Sequence, residues 1–415
     1  MALSSDWRKA LGPGLLYAGA AVGVSHIVQS TRAGALYGFA LLGFVILVNV
    51  LKYPFFEFGA RYTVATNNSL IQGYLKLGRP ILWLFTGLTF LVMFPILAAI
   101  TSVFTGVVLQ LIPTSLSSLQ LHALSLTGCG AILLAGRFRF LDQLMRLIMA
   151  ILTLTTLIAA IVALSRLDLV AKAATGSFSW DWAGFLFLVA FAGWMPTPVD
   201  SAVWQSLWTL EKRKENGISS WRAVKFDFNL GYWMSTVLAL IFVFIGAVVL
   251  YTNGTTLPEQ GAAFAASFLK VYVGLLGDWA TPVVGLSIFA TLFSTLLTVI
   301  DGYPRVMAQS LATLGTSKPT VLTHFNFWVV VYLLGTWLLL YLFTSSMLSL
   351  VDFATSISFL TAPILGYWNF RLVMRADFHE AFKPDKKLQL LSWLGLVFLT
   401  LFSLCYLLVT LGWLN

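Results

Sequence analysis

GAAVGVSHIVQSTRAGALYG (residues 19–38) and FAGWMPTPVDSAVWQS (residues 191–206) are the two stretches on which the fold turns. Each lies in a long apolar run and each interrupts it. In the second, Pro196 and Pro198 remove backbone donors and crowd the preceding turn, and Gly193 adds flexibility. In the first, Gly23, Ser25 and His26 break the run at membrane depth, where irregular backbone persists only if it lines a protein cavity. Both segments are expected to unwind midway. Pro and Gly can also simply kink a membrane helix, but the two breaks stand about 170 residues apart, at matching places in two similar halves.

The surrounding chain is built for a bilayer. Of 415 residues, 59% are hydrophobic and 10% charged, with a mean hydropathy of +0.88, far from the balance of soluble domains. Apolar stretches of roughly 20 residues, enough to cross about 30 Å of hydrocarbon as helix, recur from end to end. No alternating ten-residue barrel pattern is present, so every span is expected to be helical. Windows of about 19 residues place eleven spans near 14–37, 41–64, 81–111, 121–136, 141–164, 183–209, 228–251, 282–312, 325–345, 349–372 and 389–412. Fifteen Trp, thirteen Tyr and thirty-three Phe suit lipid-facing surfaces and interfacial belts and call for no cofactor. Cys129 and Cys405 sit in apolar segments without metal-binding spacing and read as small buried hydrophobes. The apolar run after the N-terminus shows no convincing cleavage site and is taken as retained.

Basic residues sort by side. Arg8, Lys9, Arg61, Lys76, Arg79, Arg137, Arg139, Arg146, Lys212, Arg213, Lys214, Arg222, Lys225, Lys318, Arg371, Arg375, Lys383, Lys386 and Lys387 fall on one face of the eleven-span topology. Arg166, Lys172 and Lys270 fall on the other. The positive-inside rule then puts the N-terminus in the cytoplasm and the C-terminus outside, in a plasma (inner) membrane. The net charge of +9 reports this asymmetry, and the basic run EKRKENGISSWRAVK (211–225) is a cytoplasmic loop with no nucleic-acid partner. No nucleophile, base and orienting acid stand at recognisable spacing, so an enzyme is not expected.

Paired interrupted spans are the sequence pointer to a midplane site in an inverted-repeat transporter working by alternating access. The expected organisation is 1–165 as the first five-span repeat, 166–372 as the second, inverted repeat, and 373–415 as an additional span. A monomer carrying a small inorganic ion, without cofactors, is the expectation.

The chain resembles the Nramp (natural resistance-associated macrophage protein) family of proton-coupled divalent-metal transporters over nearly its whole length. The likeness rests on GPG (12–14), AGALYGF (33–39), Asn49 followed by GARYTVATNNSL (59–70), GRFRFLDQL (136–144) and Met195-Pro196, in that order. The resemblance implies an all-α integral membrane protein of LeuT-type fold, with two inverted five-span repeats plus one extra span. Where that family has Asp-Pro-Gly-Asn in the first span, this chain reads Gly23-Val24-Ser25-His26, without the metal-binding carboxylate and amide. Of the family's metal shell, the resemblance carries over only Met195 and the backbone carbonyl of Ala192. FPILAAITSVFTGVV (94–108) lacks acids near Ala99 and Ser102, where the family places its proton path, and Thr197 replaces the histidine after Met-Pro.

What remains favours a small oxyanion, bicarbonate being the natural candidate by size and abundance. Half-helices restarting after each break offer backbone N–H groups and positive dipole ends, and Ser25, Gln29 and Thr197 add neutral donors. Lys52, mid-way along the second span, and Arg32 supply positive charge; the bland readings are a lysine that snorkels or pairs with Glu57 or Asp200, and an interfacial anchor. His26 is a proton carrier, a ligand or a packed neutral ring. Asp301 and Arg305, at i and i+4, are expected to pair or to act in a gate, and Asp352 to be solvated near its span's outer end. The alternative is a rebuilt site for Mn2+, Fe2+ or Mg2+ using Met195, His26 and the Ala192 carbonyl, with Asp200 nearby.

Overall fold

A computed structural model describes residues 11–136, 138–216, 220–255, 257–258, 261–277, 280–315, 320–342 and 346–413. Among these residues the chain forms sixteen α-helices and no strand. A helix or a broken helix stands at each of the eleven expected positions, and among the described residues eight are by themselves long and apolar enough to cross a membrane. The first is divided into Pro13–Ala21, a π-helical turn Ser25–Ser30, and Thr31–Tyr37. The sixth is divided into Trp182–Gly193 and Ser201–Asn216. The second to fifth are Leu42–Thr66, Arg79–Leu111, Ser118–Ala135 and Phe138–Leu164. The seventh is Trp221–Tyr251, and the eighth to eleventh are Ala280–Leu314, Phe325–Leu342, Met347–Val373 and Lys386–Thr410.

Burial separates centre from rim. The apolar windows of Arg79–Leu111 and Val284–Leu314 are each 78% buried, whereas those of Ser118–Ala135 and Lys386–Thr410 are only 22% buried. The rim helices turn Leu124, Leu134, Leu394, Leu401 and other large apolar side chains outward, as a lipid solvent permits. Lipid gives helices no hydrophobic reason to associate, so close backbone packing and interhelical hydrogen bonds must hold them. The first span meets the seventh through small residues on both sides of its break. A Cβ on Gly231 would stand 1.9 Å from the Gly14 carbonyl oxygen, and one on Gly246 would stand 2.4 Å from that of Thr31. Tyr232 Oη donates to the Asn49 carbonyl at 2.6 Å and Asn369 Nδ2 to that of Phe55 at 2.9 Å, tying the second span to the seventh and tenth.

Contacts at the helix ends agree with the alternating topology. Arg61 donates to the Phe382 carbonyl at 2.8 Å, Arg79 to that of Leu314 at 2.8 Å and Arg375 to that of Lys76 at 3.2 Å, so these basic residues share one end of the bundle. At the other end Lys172 donates to the Thr252 carbonyl and Phe39 N–H to that of Ala173. Arg8, Lys9, Arg137 and Lys318 lie outside the described residues, as do the side chains of Arg139 and Arg146.

Besides the short helix Leu70–Leu77 in the second connection, two elements depart from expectation. Helix Gly261–Leu276 occupies a connection in which no element was expected, and it buries Phe264, Phe268, Leu269 and Val271. Its apolar run is too short to cross a bilayer, which is why a span-length window passes over it. The fifth span also turns by 93° from Thr153–Leu164 into the short helix Leu167–Ala173.

The glycine crossing sets a test. Gly231→Val forces a side chain into backbone, and overpacking of this kind costs about 1–3 kcal/mol or more. A clear fall in the melting temperature of the detergent-solubilised protein is expected, while Gly43→Ala, at a position with nothing within 4 Å of the added Cβ, should melt like the parent. Equal melting of the two variants would contradict the crossing.

Candidate functional site

The breaks differ in extent. In the sixth span residues 194–200 are non-helical, and the chain restarts with Ser201 N–H bonded to the Pro198 carbonyl at 3.1 Å. In the first span only Val22 and Gly23 interrupt the helix, because His26 and Ile27 both turn their N–H groups back to the Gly23 carbonyl, at 3.2 and 2.9 Å. The first break is therefore shorter than expected. Thr295, from the eighth span, fills the space beside it: a Cβ on Gly23 would lie 2.2 Å from Thr295 Oγ1. That hydroxyl donates to the Gly19 carbonyl at 3.1 Å, satisfying backbone just ahead of the break.

A small cavity opens between the breaks. Ser25, Thr197 and Thr295 give it hydroxyls, while Trp194, Trp204 and Ile100 give it apolar walls. It offers about 20 Å3 to the centre of a water-sized sphere, room for one or two waters. Its lining includes no carboxylate among the described residues.

Lys52 stands behind Thr197. Its side chain is 0% exposed, and Nζ donates to the carbonyls of Ala192 at 3.0 Å, Gly193 at 3.2 Å and Thr197 at 3.2 Å. The pairing of Lys52 with Glu57 or Asp200 does not form as an ion pair. Glu57 instead accepts from Arg61 at 2.6 and 2.7 Å, with Lys225 at 3.9 Å. Lys52 finds carbonyls because unwinding ends helix Trp182–Gly193 early and frees its last carbonyls at the negative end of its dipole.

His26 is fully buried beside the cavity. Nε2 lies 2.8 Å from the Ser235 carbonyl, which only accepts, so Nε2 carries a hydrogen. Nδ1 lies 2.7 Å from Ser25 Oγ, which also reaches the Ala21 carbonyl at 2.5 Å. Both ring nitrogens are engaged, so in this arrangement neither is left to ligate a metal.

Charged residues pair towards both ends of the first span. Arg32 reaches both carboxylate oxygens of Asp352 at 2.7 and 3.2 Å, and Gln29 Nε2 donates to the same carboxylate at 2.9 Å. Asp352 is thus paired with the first span while its side chain stays 39% exposed, so it is both partly solvated, as expected, and bound. Towards the opposite end Asp227 accepts from the backbone N–H groups of Gly12 at 2.9 Å and Gly14 at 2.6 Å, capping the first helix. Asp301 pairs with Arg305 at 2.6 Å and accepts from Trp208 Nε1 at 2.9 Å. Asp200 Oδ2 accepts from Tyr303 at 2.8 Å, leaving buried Oδ1 without a partner. Ser201 Oγ, the Gln205 amide and Thr209 Oγ1 are likewise buried and unpartnered, at i, i+4 and i+8 on one face of Ser201–Asn216. Buried polar groups of this kind call for water.

Of the residues singled out from sequence, Ser25 and Thr197 line the cavity. Gly23 is covered by Thr295, His26 lies behind Ser25, Gln29 and Arg32 belong to the cluster with Asp352, and the Ala192 carbonyl is taken by Lys52. Met195 is fully buried. Among the described residues no group of three or more His, Cys, Asp or Glu stands ready to hold a metal ion. Thr295 and Ser235 escaped the sequence reading. The signal for Thr295 was a row of hydroxyls at helical spacing, Ser287, Thr291, Thr295 and Thr298.

Contact between Gly23 and Thr295 predicts a coupled pair. Gly23→Ala should destabilise by about 1–3 kcal/mol, and Thr295→Ala in the same chain should recover much of that loss. Additive melting shifts would contradict the contact.

The profile of the natural resistance-associated macrophage protein-like (Nramp) family matches residues 14–410. The protein PM0681 of Pasteurella multocida (strain Pm70) is 35% identical over 417 residues, spanning 99% of this chain and 95% of its own length. Among solved structures, the Eremococcus coleocola manganese transporter bound to an aromatic bis-isothiourea compound superposes with a TM-score of 0.71 at 14% identity, over 97% of this chain and 86% of that one. MhsT with L-phenylalanine matches with a TM-score of 0.60 at 15% identity, over 94% of this chain and 98% of that one. These likenesses establish the LeuT-type fold that the sequence resemblance implied. The chain belongs to the Nramp family and is a multi-pass membrane transporter, not an enzyme.

Proposed function

We propose that this transporter carries a small inorganic anion such as bicarbonate, by alternating access, through the cavity between the first and sixth spans. The observation that carries the proposal is the Lys52 ammonium on the Ala192 carbonyl. A metal ion ligated by that same oxygen, at up to about 2.6 Å, would lie within about 5.6 Å of Nζ. At an effective dielectric of about 20, a divalent ion there meets about 6 kcal/mol of repulsion, roughly four powers of ten in affinity. The lining suits the opposite charge better than a cation, since it brings hydroxyls and no carboxylate among the described residues; the Ser25 and Thr295 hydroxyls, engaged on backbone carbonyls in this arrangement, would have to turn to donate to an anion.

The second reading is transport of a divalent metal cation. Family membership favours it, as do the manganese transporters of the same fold. Within the chain, Met195 at the break and the unpartnered Asp200 Oδ1 favour it too.

The proposed setting is a monomer in the inner membrane, N-terminus cytoplasmic, with 1–165 and 166–372 as the inverted halves and 373–415 as the added span. The gathering of Arg61, Arg79 and Arg375 at one end supports the orientation. In the cycle, Arg32, Gln29 and Asp352 would form the outer closure, and the Asp227 cap on Gly12 and Gly14 the inner one. The unpartnered face of Ser201, Gln205 and Thr209 would carry water and cargo inward.

Two measurements test this. Proteoliposomes should show saturable bicarbonate-driven internal alkalinisation and no saturable Mn2+ uptake; the reverse pattern would overturn the choice of cargo. Asp352→Asn should raise the accessibility of a cysteine placed in the cavity to an impermeant outside reagent several-fold, because it removes the charge that pairs with Arg32 across the first and tenth spans. Unchanged labelling would contradict the outer closure.

A further inference from the structure

Three carbonyls converge on Lys52 at the sixth-span break, Ala192 and Gly193 at the end of the preceding helix and Thr197 within the unwound segment. An ammonium has three donors, and here each finds one acceptor at 3.0 to 3.2 Å. The Phe56 ring stands 5.9 Å from Nζ as a further cation-stabilising wall. Nothing of the side chain reaches solvent. A ring of backbone oxygens in a broken membrane helix is the chemistry by which half-helices bind a dissolved monovalent cation. In this chain that position is filled by a side chain from another span.

We infer that the sixth-span break is a cation site whose occupant is built into the chain, and that the same carbonyls take a primary alkylammonium ion once the Lys52 side chain is removed. A tethered ion never leaves, so it stabilises the unwound geometry and holds positive charge beside the cavity throughout the cycle. It also draws nothing from an ion gradient. The site therefore contributes no soluble coupling cation, and removing Lys52 creates a dependence on one. The inference rests on the break being the transport site, and it holds for either cargo.

The test uses full-length wild-type, Lys52→Ala and Lys52→Met proteins. Lys52→Ala removes three carbons and the nitrogen, a slot about as long as ethylammonium once van der Waals contact with the remaining Cβ is allowed for, and Lys52→Met fills most of it without charge. The first readout is melting temperature in detergent, which needs no cargo. Lys52→Ala should melt several degrees below wild type, and ethylammonium should recover at least about half of the drop, as a ligand bound only by the folded state does. Tetramethylammonium at equal ionic strength, which has no N–H to donate, should recover none, and Lys52→Met should respond to neither ion. If Lys52→Ala is obtained only when ethylammonium is present during purification, the inference is supported; if no ammonium ion restores folded protein, it is overturned. In proteoliposomes, uptake by Lys52→Ala of whichever ion the wild type takes, bicarbonate or Mn2+, should fall about 10-fold or more and return several-fold with the amine, in the range that breaking a buried charge interaction allows.

Wild-type melting and uptake by Lys52→Ala would overturn the inference, as would equal responses to ethylammonium and tetramethylammonium. Mn2+ uptake by wild type with the amine rescue intact would overturn only the cargo reading. Bicarbonate uptake by wild type with no selective rescue would overturn only the tethered ion.

Discussion

An unwound stretch of backbone in the middle of a bilayer is the constraint from which this structure follows. Residues 194–200 expose carbonyl and N–H groups where no bulk water can reach them, and each unsatisfied group there costs several kcal/mol. The Lys52 ammonium binds one of those carbonyls, Thr197, together with the last two carbonyls of the preceding helix, Ala192 and Gly193. A lone buried ammonium would be as costly as the carbonyls it meets, so each side of the contact depends on the other. Glu57, the acid nearest to Lys52 in sequence, is held by Arg61 instead, which leaves the ammonium to the backbone.

The same constraint orders the neighbouring spans. Gly23 leaves room for Thr295, whose hydroxyl serves the first span's backbone at Gly19. Ser235 on the seventh span orients the His26 ring, and the ring reaches Ser25 at the cavity wall. Glycine crossings at Gly14 with Gly231 and at Thr31 with Gly246 clamp the first span on the seventh to either side of its break. Asp352 bound to Arg32 and Asp227 capping Gly12 and Gly14 tie the two ends of the first span to the tenth and seventh spans.

Much of this was legible in the residues. Hydropathy located the spans, because a bilayer allows the backbone few alternatives and a 20-residue apolar run has one use there. Pro196, Pro198 and Gly23 marked the breaks through local rules that need no tertiary contact. The partners were not legible. Lys52 bonds to backbone 140 residues away, and carbonyls leave no trace in residue identity, so only Glu57 and Asp200 suggested themselves. Asp352 and Arg32 stand 320 residues apart, and which face of each helix meets the other is set by packing. Thr295 was hidden among the hydroxyls of an ordinary membrane helix, and its importance came only from the glycine opposite. Helix Gly261–Leu276 fell below the length at which an apolar run declares itself.

On the proposed reading the broken-helix cavity is closed to metals, because the Lys52 side chain holds the positive charge there. An anomalous difference map from crystals soaked in Mn2+ tests it most directly. The account predicts no manganese peak within ligand distance of the Ala192 carbonyl or Met195 Sδ, and Lys52 Nζ still seated on its three carbonyls. A coordinated manganese ion at that position, with the lysine displaced, would contradict it.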